Sequence, residues 1–292
     1  MPATKQIRAL DDEDAAFEFK NIRVTRVTPH VGAEIADIDL TQPLNARQVE
    51  EVYQALLRFG VIFFRDQKIG FEQHTQFARY FGPLQVHVGG TGTASQIIEG
   101  HPEIRRQHFD EKSKRVSGEN WHTDQSCAEI PPMASILYQK IVPPNGGGDT
   151  LFASMYAAYD ALSPQMKAFL EPLTAEHDGA LGFDKASTAH PKSVQPVITS
   201  HPDTGKKLLF VNPTFTSRIM ELPKDESDAV LGFLFKHLDN PHWQLRFKWT
   251  NDSIAFWDNR CTQHCAIWDY WPNVRSGFRV IIKGKAKPLP VV

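Results

Sequence analysis

Short apolar, β-branched segments recur along the whole chain, and only a few stretches carry the 3.6-residue apolar period of a helix. Residues 19–40, 61–65, 134–142, 150–153, 207–211, 244–249, 254–257 and 278–282 read as strands. Helical periodicity is confined to 45–59, 71–81, 155–170 and 225–238, the third broken near Ser163-Pro164. Gly60 stands where a helix C-cap is expected. Many short strands with helices packed outside point to a mainly β protein with a sandwich or barrel core. There are no repeats, no low-complexity tract and no linker, so residues 1–292 read as one domain, with a polar, frayed start at 1–17.

Composition narrows the function. A formal net charge of −2 provides no strong field for nucleic acid or an anionic membrane. The first residues lack the apolar core of a signal peptide, and no apolar run is long enough to span a bilayer. Three cysteines, Cys127, Cys261 and Cys265, suggest no disulfide framework. The expectation is a cytoplasmic globular protein.

The least regular stretch is 84–120. It holds Gly89-Gly90-Thr91-Gly92 and a charged run at 105–115, and it ends just before His122. Loops this long are usually functional or mobile, so it reads as an active-site lid.

Four His-x-Asp triplets occur, so the pattern alone is weak. His108-Phe109-Asp110 sits in the charged run and reads as a solvated loop. His201-Pro202-Asp203 precedes Thr204-Gly205, a turn signature. His237-Leu238-Asp239 closes a helix, where positions two apart do not face each other. His122-Thr123-Asp124 follows Trp121 and precedes strand-rich sequence. In extended backbone it places both side chains on one face, able to chelate one ion. A buried histidine bonded to a local aspartate is the plainer alternative.

A second imidazole, His264, lies between Cys261 and Cys265. A Cys₃His zinc site is disfavoured. On an extended segment the two cysteines share one face and His264 the other, and Cys127 has no second ligand at knuckle spacing. Inert buried cysteines are the commoner outcome. Two histidines and one carboxylate with open positions form the ligand set of non-haem Fe(II) oxygenases. Arg275 and Arg279 follow, four apart on a strand-like segment. They share a face with Cα atoms roughly 13 Å apart, a spacing suited to two different anionic groups. Gly146-Gly147-Gly148-Asp149-Thr150 lacks the Gly-Lys-Ser/Thr ending of a phosphate loop. It reads as a tight turn delivering the Thr150 hydroxyl to the carboxylate held by Arg275.

Together these pieces resemble the Fe(II)/2-oxoglutarate-dependent dioxygenases of the taurine dioxygenase (TauD/TfdA) family. The matching pieces are Trp121-His122-Thr123-Asp124, Gly147-Gly148-Asp149-Thr150, Phe210-Val211-Asn212, Phe215-Thr216-Ser217-Arg218-Ile219, Trp257 through His264, and Asp269-Tyr270 through Arg275 and Arg279. The resemblance covers roughly residues 31–284.

It implies a double-stranded β-helix (jelly-roll) core with flanking helices. It makes His122, Asp124 and His264 the iron ligands, and Arg275 with Thr150 the site for the distal carboxylate of 2-oxoglutarate. Arg279 would face the anionic group of a small substrate, with His87, Phe183 and Phe215 lining its pocket. Fe(II), 2-oxoglutarate and O2 would support hydroxylation of a sulfonate, sulfate ester, aryloxyalkanoate or other organic acid, with succinate and CO2 as coproducts. Desaturation or cyclisation stays open, as do a zinc hydrolase and a non-catalytic jelly-roll binding module. A homo-oligomer is compatible, and no interface is legible. Two departures stand out. Gly89-Gly90 replaces the Tyr of taurine-specific members, and Gly118 replaces an amide-bearing substrate contact. Both imply a larger or differently shaped substrate than taurine.

Overall fold

The computed structural model describes residues 17–86, 97–183 and 190–291. The N-terminal part contains β1 (Arg23–Arg26), β2 (Ala33–Ala36), α1 (Ala46–Phe59), β3 (Val61–Phe64) and α2 (Phe71–Arg79). Next come β4 (Ile97–Ile98), β5 (His101–Phe109), β6 (Ala134–Ile141), β7 (Thr150–Ser154), α3 (Met155–Asp160) and α4 (Pro164–Leu170). The middle holds β8 (Thr174–Asp178), α5 (Gly179–Gly182), β9 (Lys192–Pro196), β10 (Ile198–Ser200), β11 (Lys207–Leu209), β12 (Thr216–Ile219) and α6 (Lys224–Leu238). The chain ends with β13 (Gln244–Phe247), β14 (Ser253–Asp258), β15 (Thr262–Ala266), β16 (Arg275–Ile282) and β17 (Leu289–Pro290).

Helix boundaries follow local chemistry. The Asn45 side chain accepts from the Gln48 backbone N–H while the Gln48 side chain accepts from that of Asn45, a reciprocal capping box. Gly60 closes α1 with its N–H bonded to the Leu56 carbonyl at 2.8 Å. Ser163 caps α4 with Pro164 at its first position, so the 155–170 helix splits where the sequence placed the break.

An eight-stranded sheet runs β1-β2-β3-β14-β6-β16-β5-β4, and a three-stranded sheet β13-β7-β15 faces it. Residues alternate between two cores, as a period of two requires. Val61, Phe63, Leu137, Ala255 and Trp257 point inward against Phe152, Leu245 and Phe247 of the smaller sheet. The Phe63 and Phe247 rings stack 3.8 Å apart. Ile62, Phe64, Ile136, Phe256 and Val280 point outward beneath Val52 and Leu56 of α1 and Phe77 of α2. Fully burying one such side chain stabilises by about 1.5–3 kcal/mol. A third core beside β7 and β15 takes α3, α4 and α6.

The structure corrects the reading of 84–120 as irregular. Residues 101–109 form β5, paired antiparallel with β16 from Arg275↔Phe109 to Val280↔Ile104. Its composition (His101-Pro102-Glu103-Ile104-Arg105-Arg106-Gln107-His108-Phe109) hides the strand. The partner strand supplies what local propensity does not. His108-Phe109-Asp110 therefore begins in a strand rather than a loop. Within the described residues, only 110–120 of that stretch remain a long loop. The sheet β12-β8-β9 also went unread. His87 and the frayed start at 1–16 lie outside the described residues. Among those described, no helix is long and apolar enough to cross a membrane.

Candidate active site

A cavity of about 950 Å³ opens between β5, β16 and β6 of the large sheet and β7 and β15 of the small one. His122 and His264 meet at its base. Their backbones pair as an isolated antiparallel bridge through two hydrogen bonds of 3.1 and 2.9 Å. Their ring centroids are 4.1 Å apart. Asp124 follows two residues later, its Oδ1 lying 3.7 Å from His122 Nε2 and 4.0 Å from His264 Nε2. All three side chains are buried.

The donor set fits a divalent metal. His122 Nδ1 lies 2.8 Å from the Asn120 carbonyl, which accepts from it and leaves the Nε2 lone pair facing the gap. Burial, the largest influence on both histidines, lowers their pKa values; the neighbouring His122 adds to this at His264. Both rings are thus neutral, the form that ligates metal. Burial alone would raise the Asp124 pKa. The Arg279 charge first, then the neighbouring His264 and His122 rings and the Ser135 hydroxyl, outweigh it and hold the carboxyl well below the usual range. Ser135 donates to Asp124 Oδ2 at 2.7 Å and accepts from Asn259 Nδ2 at 3.1 Å. Asn259 in turn accepts from the Trp257 indole at 3.0 Å. This chain fixes the carboxylate against β6 and β14.

A second cluster, His201, Asp258 and Cys261, has its donors occupied. His201 Nδ1 accepts from the Asp203 and Thr204 backbones, and its Nε2 donates to Asp258 at 3.1 Å. Arg260 grips both oxygens of Asp258 at 2.8 and 2.7 Å. Burial pushes the Cys261 thiol up, away from thiolate. These residues tie strands together. Cys261 and Cys265 pack into the helical core, on the opposite side of β15 from the cavity. All three cysteines are free.

Arg275 and Arg279 both line the cavity. Arg275 donates from Nε to the Gly148 carbonyl at 3.0 Å and lies over the Trp249 ring at 5.6 Å. Burial lowers its pKa. The Trp249 indole donates to Thr150 Oγ1 at 3.0 Å, leaving the hydroxyl proton available to a ligand. Gly148 has φ +83°, and a Cβ there would lie 2.9 Å from Arg275 Cδ. The glycine turn therefore cradles Arg275 as well as starting β7. Arg279 Nη1 donates to Asp124 Oδ1 at 2.9 Å, and its Nε is buried without a partner. Phe183 and Phe215 line the same cavity, with ring centroids 5.2 Å apart.

Gly118 needs a correction. Its φ is +84°, and a Cβ there would fall 2.8 Å from His122 Cε1. The space a side chain would use is filled by the metal-facing ring, so this glycine is no sign of a larger substrate. Sequence reasoning missed Ser135, Asn259, Trp249 and the cavity face of β5. For β5 a signal existed: Arg105, Gln107 and Phe109 alternate, and all three line the cavity.

Comparison with known proteins gives this geometry a lineage. Residues 23–281 match the family described as "Taurine catabolism dioxygenase TauD, TfdA family". An alpha-ketoglutarate-dependent sulfonate dioxygenase of Saccharomyces cerevisiae is 33% identical over 89% of this chain and 66% of its own length. An alpha-ketoglutarate-dependent 2,4-dichlorophenoxyacetate dioxygenase of Cupriavidus pinatubonensis is 32% identical over 81% of this chain and 88% of its own. The crystal structure of AAD-2 in complex with Mn(II) and N-oxalylglycine superposes with a TM-score of 0.83 at 28% identity, covering 92% of this chain and 100% of that one. The chain belongs to the TauD/TfdA family. Enzymes of this family are dioxygenases that use Fe(II), 2-oxoglutarate (alpha-ketoglutarate) and O2, and the protein is an oxidoreductase of that class.

Proposed function

We propose that the protein hydroxylates a C–H bond of a small anionic substrate, with Fe(II) held by His122, Asp124 and His264. The carrying observation is the convergence of these three buried side chains beside two cavity-lining arginines. When bound, iron and 2-oxoglutarate supply the oxidising power: one oxygen atom of O2 enters the substrate, the other enters succinate, and CO2 leaves. The side chains do the rest. Arg275 and the Thr150 hydroxyl hold the far carboxylate of 2-oxoglutarate through a charged fork and a neutral donor. Arg279 faces the anionic group of the substrate, and Phe183 and Phe215 flank its apolar part.

The substrate class draws on the sulfonate and aryloxyacetate named for two relatives. The core in this reading is a double-stranded β-helix, built from the large sheet facing β13-β7-β15. Residues 110–120 act as a lid that excludes water during the reaction. Free thiols and a ferrous cofactor suit the reducing cytoplasm.

The test is a panel assay for substrate-dependent succinate release, using sulfonates, sulfate esters, aryloxyalkanoates and other small acids. Asp124→Ala should abolish iron-dependent turnover. Succinate release surviving in that variant would overturn the ligand assignment, and a protein that binds no iron would be a binding module.

A further inference from the structure

Tyr270 is a buried phenol that the roles assigned so far leave unused. It is 2% exposed and lines the cavity. A Cβ on Gly148 would meet Arg275 Cδ at 2.9 Å, Arg275 Nε at 3.1 Å and Tyr270 Cδ1 at 3.2 Å. The Tyr270 ring and the Arg275 side chain therefore lie against the same face of one glycine, at the turn that delivers Thr150. Local bonds hold the Tyr270 backbone in this place. Asp269 Oδ1 accepts from the Gly148 N–H at 2.7 Å, and Arg246 bridges Asp149 at 2.6 Å and Asp269 at 3.3 Å. The Tyr270 carbonyl accepts from the Asn273 backbone N–H at 2.7 Å and from Asn273 Nδ2 at 3.0 Å. A side chain fixed in advance loses little freedom when a ligand arrives.

Donor counting gives this phenol a use. A carboxylate has two oxygens with about four lone-pair sites, and burying it is costly unless they are filled. Arg275 commits its Nε to the Gly148 carbonyl, which leaves the Nη groups as a fork for two of those sites. The Thr150 hydroxyl fills a third. Burial, the largest influence, pushes the Tyr270 phenol up to about 12; Arg275 acts in the opposite direction, and Glu119 and Asp269 add to the rise. The phenol therefore keeps its proton at neutral pH and is a donor. Among the described residues, none hydrogen-bonds this hydroxyl.

We propose that the Tyr270 hydroxyl donates to the far carboxylate of 2-oxoglutarate, completing the pocket begun by Arg275 and Thr150 and selecting keto acids that carry this group. The assignment deepens the reading of Arg275 as the far-carboxylate site and rests on it. Tyr270 touches the cosubstrate and takes no part in the metal or substrate sites.

The test uses the full chain loaded anaerobically with Mn(II), so that binding is read without turnover. Calorimetric titration compares 2-oxoglutarate with 2-oxopentanoate, the same carbon chain with a methyl in place of the far carboxylate. Wild type should strongly prefer 2-oxoglutarate. Tyr270→Phe removes one oxygen and keeps the ring. It should raise the Kd for 2-oxoglutarate by about ten- to a hundredfold and leave that for 2-oxopentanoate within about twofold. Its thermal unfolding should match wild type, because the hydroxyl lost bonds no described residue. Arg275→Gln should abolish the preference. An unchanged 2-oxoglutarate Kd in Tyr270→Phe, or an equal loss for both keto acids, would overturn the role of the phenol alone when Arg275→Gln behaves as expected. A wild type without the preference, or an Arg275→Gln variant that keeps it, would overturn the far-carboxylate site and the role of Tyr270 with it.

Discussion

Arg279 Nη1 lies 2.9 Å from Asp124 Oδ1, the same oxygen that both histidine Nε2 atoms face. The cation assigned to the substrate is thus bonded to the carboxylate assigned to the metal. The two roles separate in a variant. Arg279→Leu removes a competitor for Oδ1 and a repelling charge, so Mn(II) binding should be kept or tightened several-fold. Asp124→Ala should lose it. Calorimetry with Mn(II) checks both, and loss of the metal in Arg279→Leu would refute this division.

Ser135 holds the other oxygen of Asp124. Partners that orient a ligand typically contribute 10–100-fold to metal affinity. Ser135→Ala should therefore weaken Mn(II) binding by about that factor with little change in thermal stability. An unchanged affinity would show that Asp124 needs no such support.

Thr150 keeps its hydroxyl proton for a ligand because Trp249 donates to the oxygen. Hydrogen bonds to charged groups are worth about 1.5–3 kcal/mol. Thr150→Val should raise the Kd for 2-oxoglutarate by about ten- to a hundredfold while leaving Mn(II) affinity intact. Equilibrium dialysis with labelled 2-oxoglutarate reads this directly.

Gly118 carries a positive φ against the His122 ring. Gly118→Ala should displace that ring and lower metal affinity, with no gain for smaller substrates. A variant with normal Mn(II) binding and a narrowed substrate range would restore the view of Gly118 as a pocket-shaping residue.

Asp258, fully buried, is gripped by Arg260 and His201. Burial by itself would raise its pKa, yet Arg260 and His201 hold it well below the usual carboxylate value. A depressed folded pKa gives stability that is present above the unfolded value of about 3.9 and lost as pH falls through and below it. Asp258→Asn removes the buried partner of Arg260, leaving it only the half-exposed Asp203 as a carboxylate partner, and should cost about 3 kcal/mol near neutral pH. Its stability should also fall less steeply than wild type's below about pH 5. Parallel urea titrations at several pH values test both statements.

Local signals carried a large part of the fold. Helices α1, α2 and α6 and strands β3, β6 and β14 each advertise themselves through period, capping and β-branched residues, because those preferences act over a few neighbouring residues. The pairing of His122 with Asp124 was legible for the same reason: positions two apart share a face in extended chain. What the sequence by itself determined is therefore the set of elements and the chemical types at their faces. Tertiary structure decided which faces meet. His264 joins His122 through a bridge across 142 positions of sequence, and no local rule announces it. Strand β5 exists because β16 pairs with it, against its own charged composition. Ser135 and Arg105 gained their places from cross-strand registers, Trp249 from its bond to Thr150 just past the end of β13, and Gly118 from the nearness of a ring. Those relations are long-range packing and hydrogen bonding, which form only when the sheets close on one another.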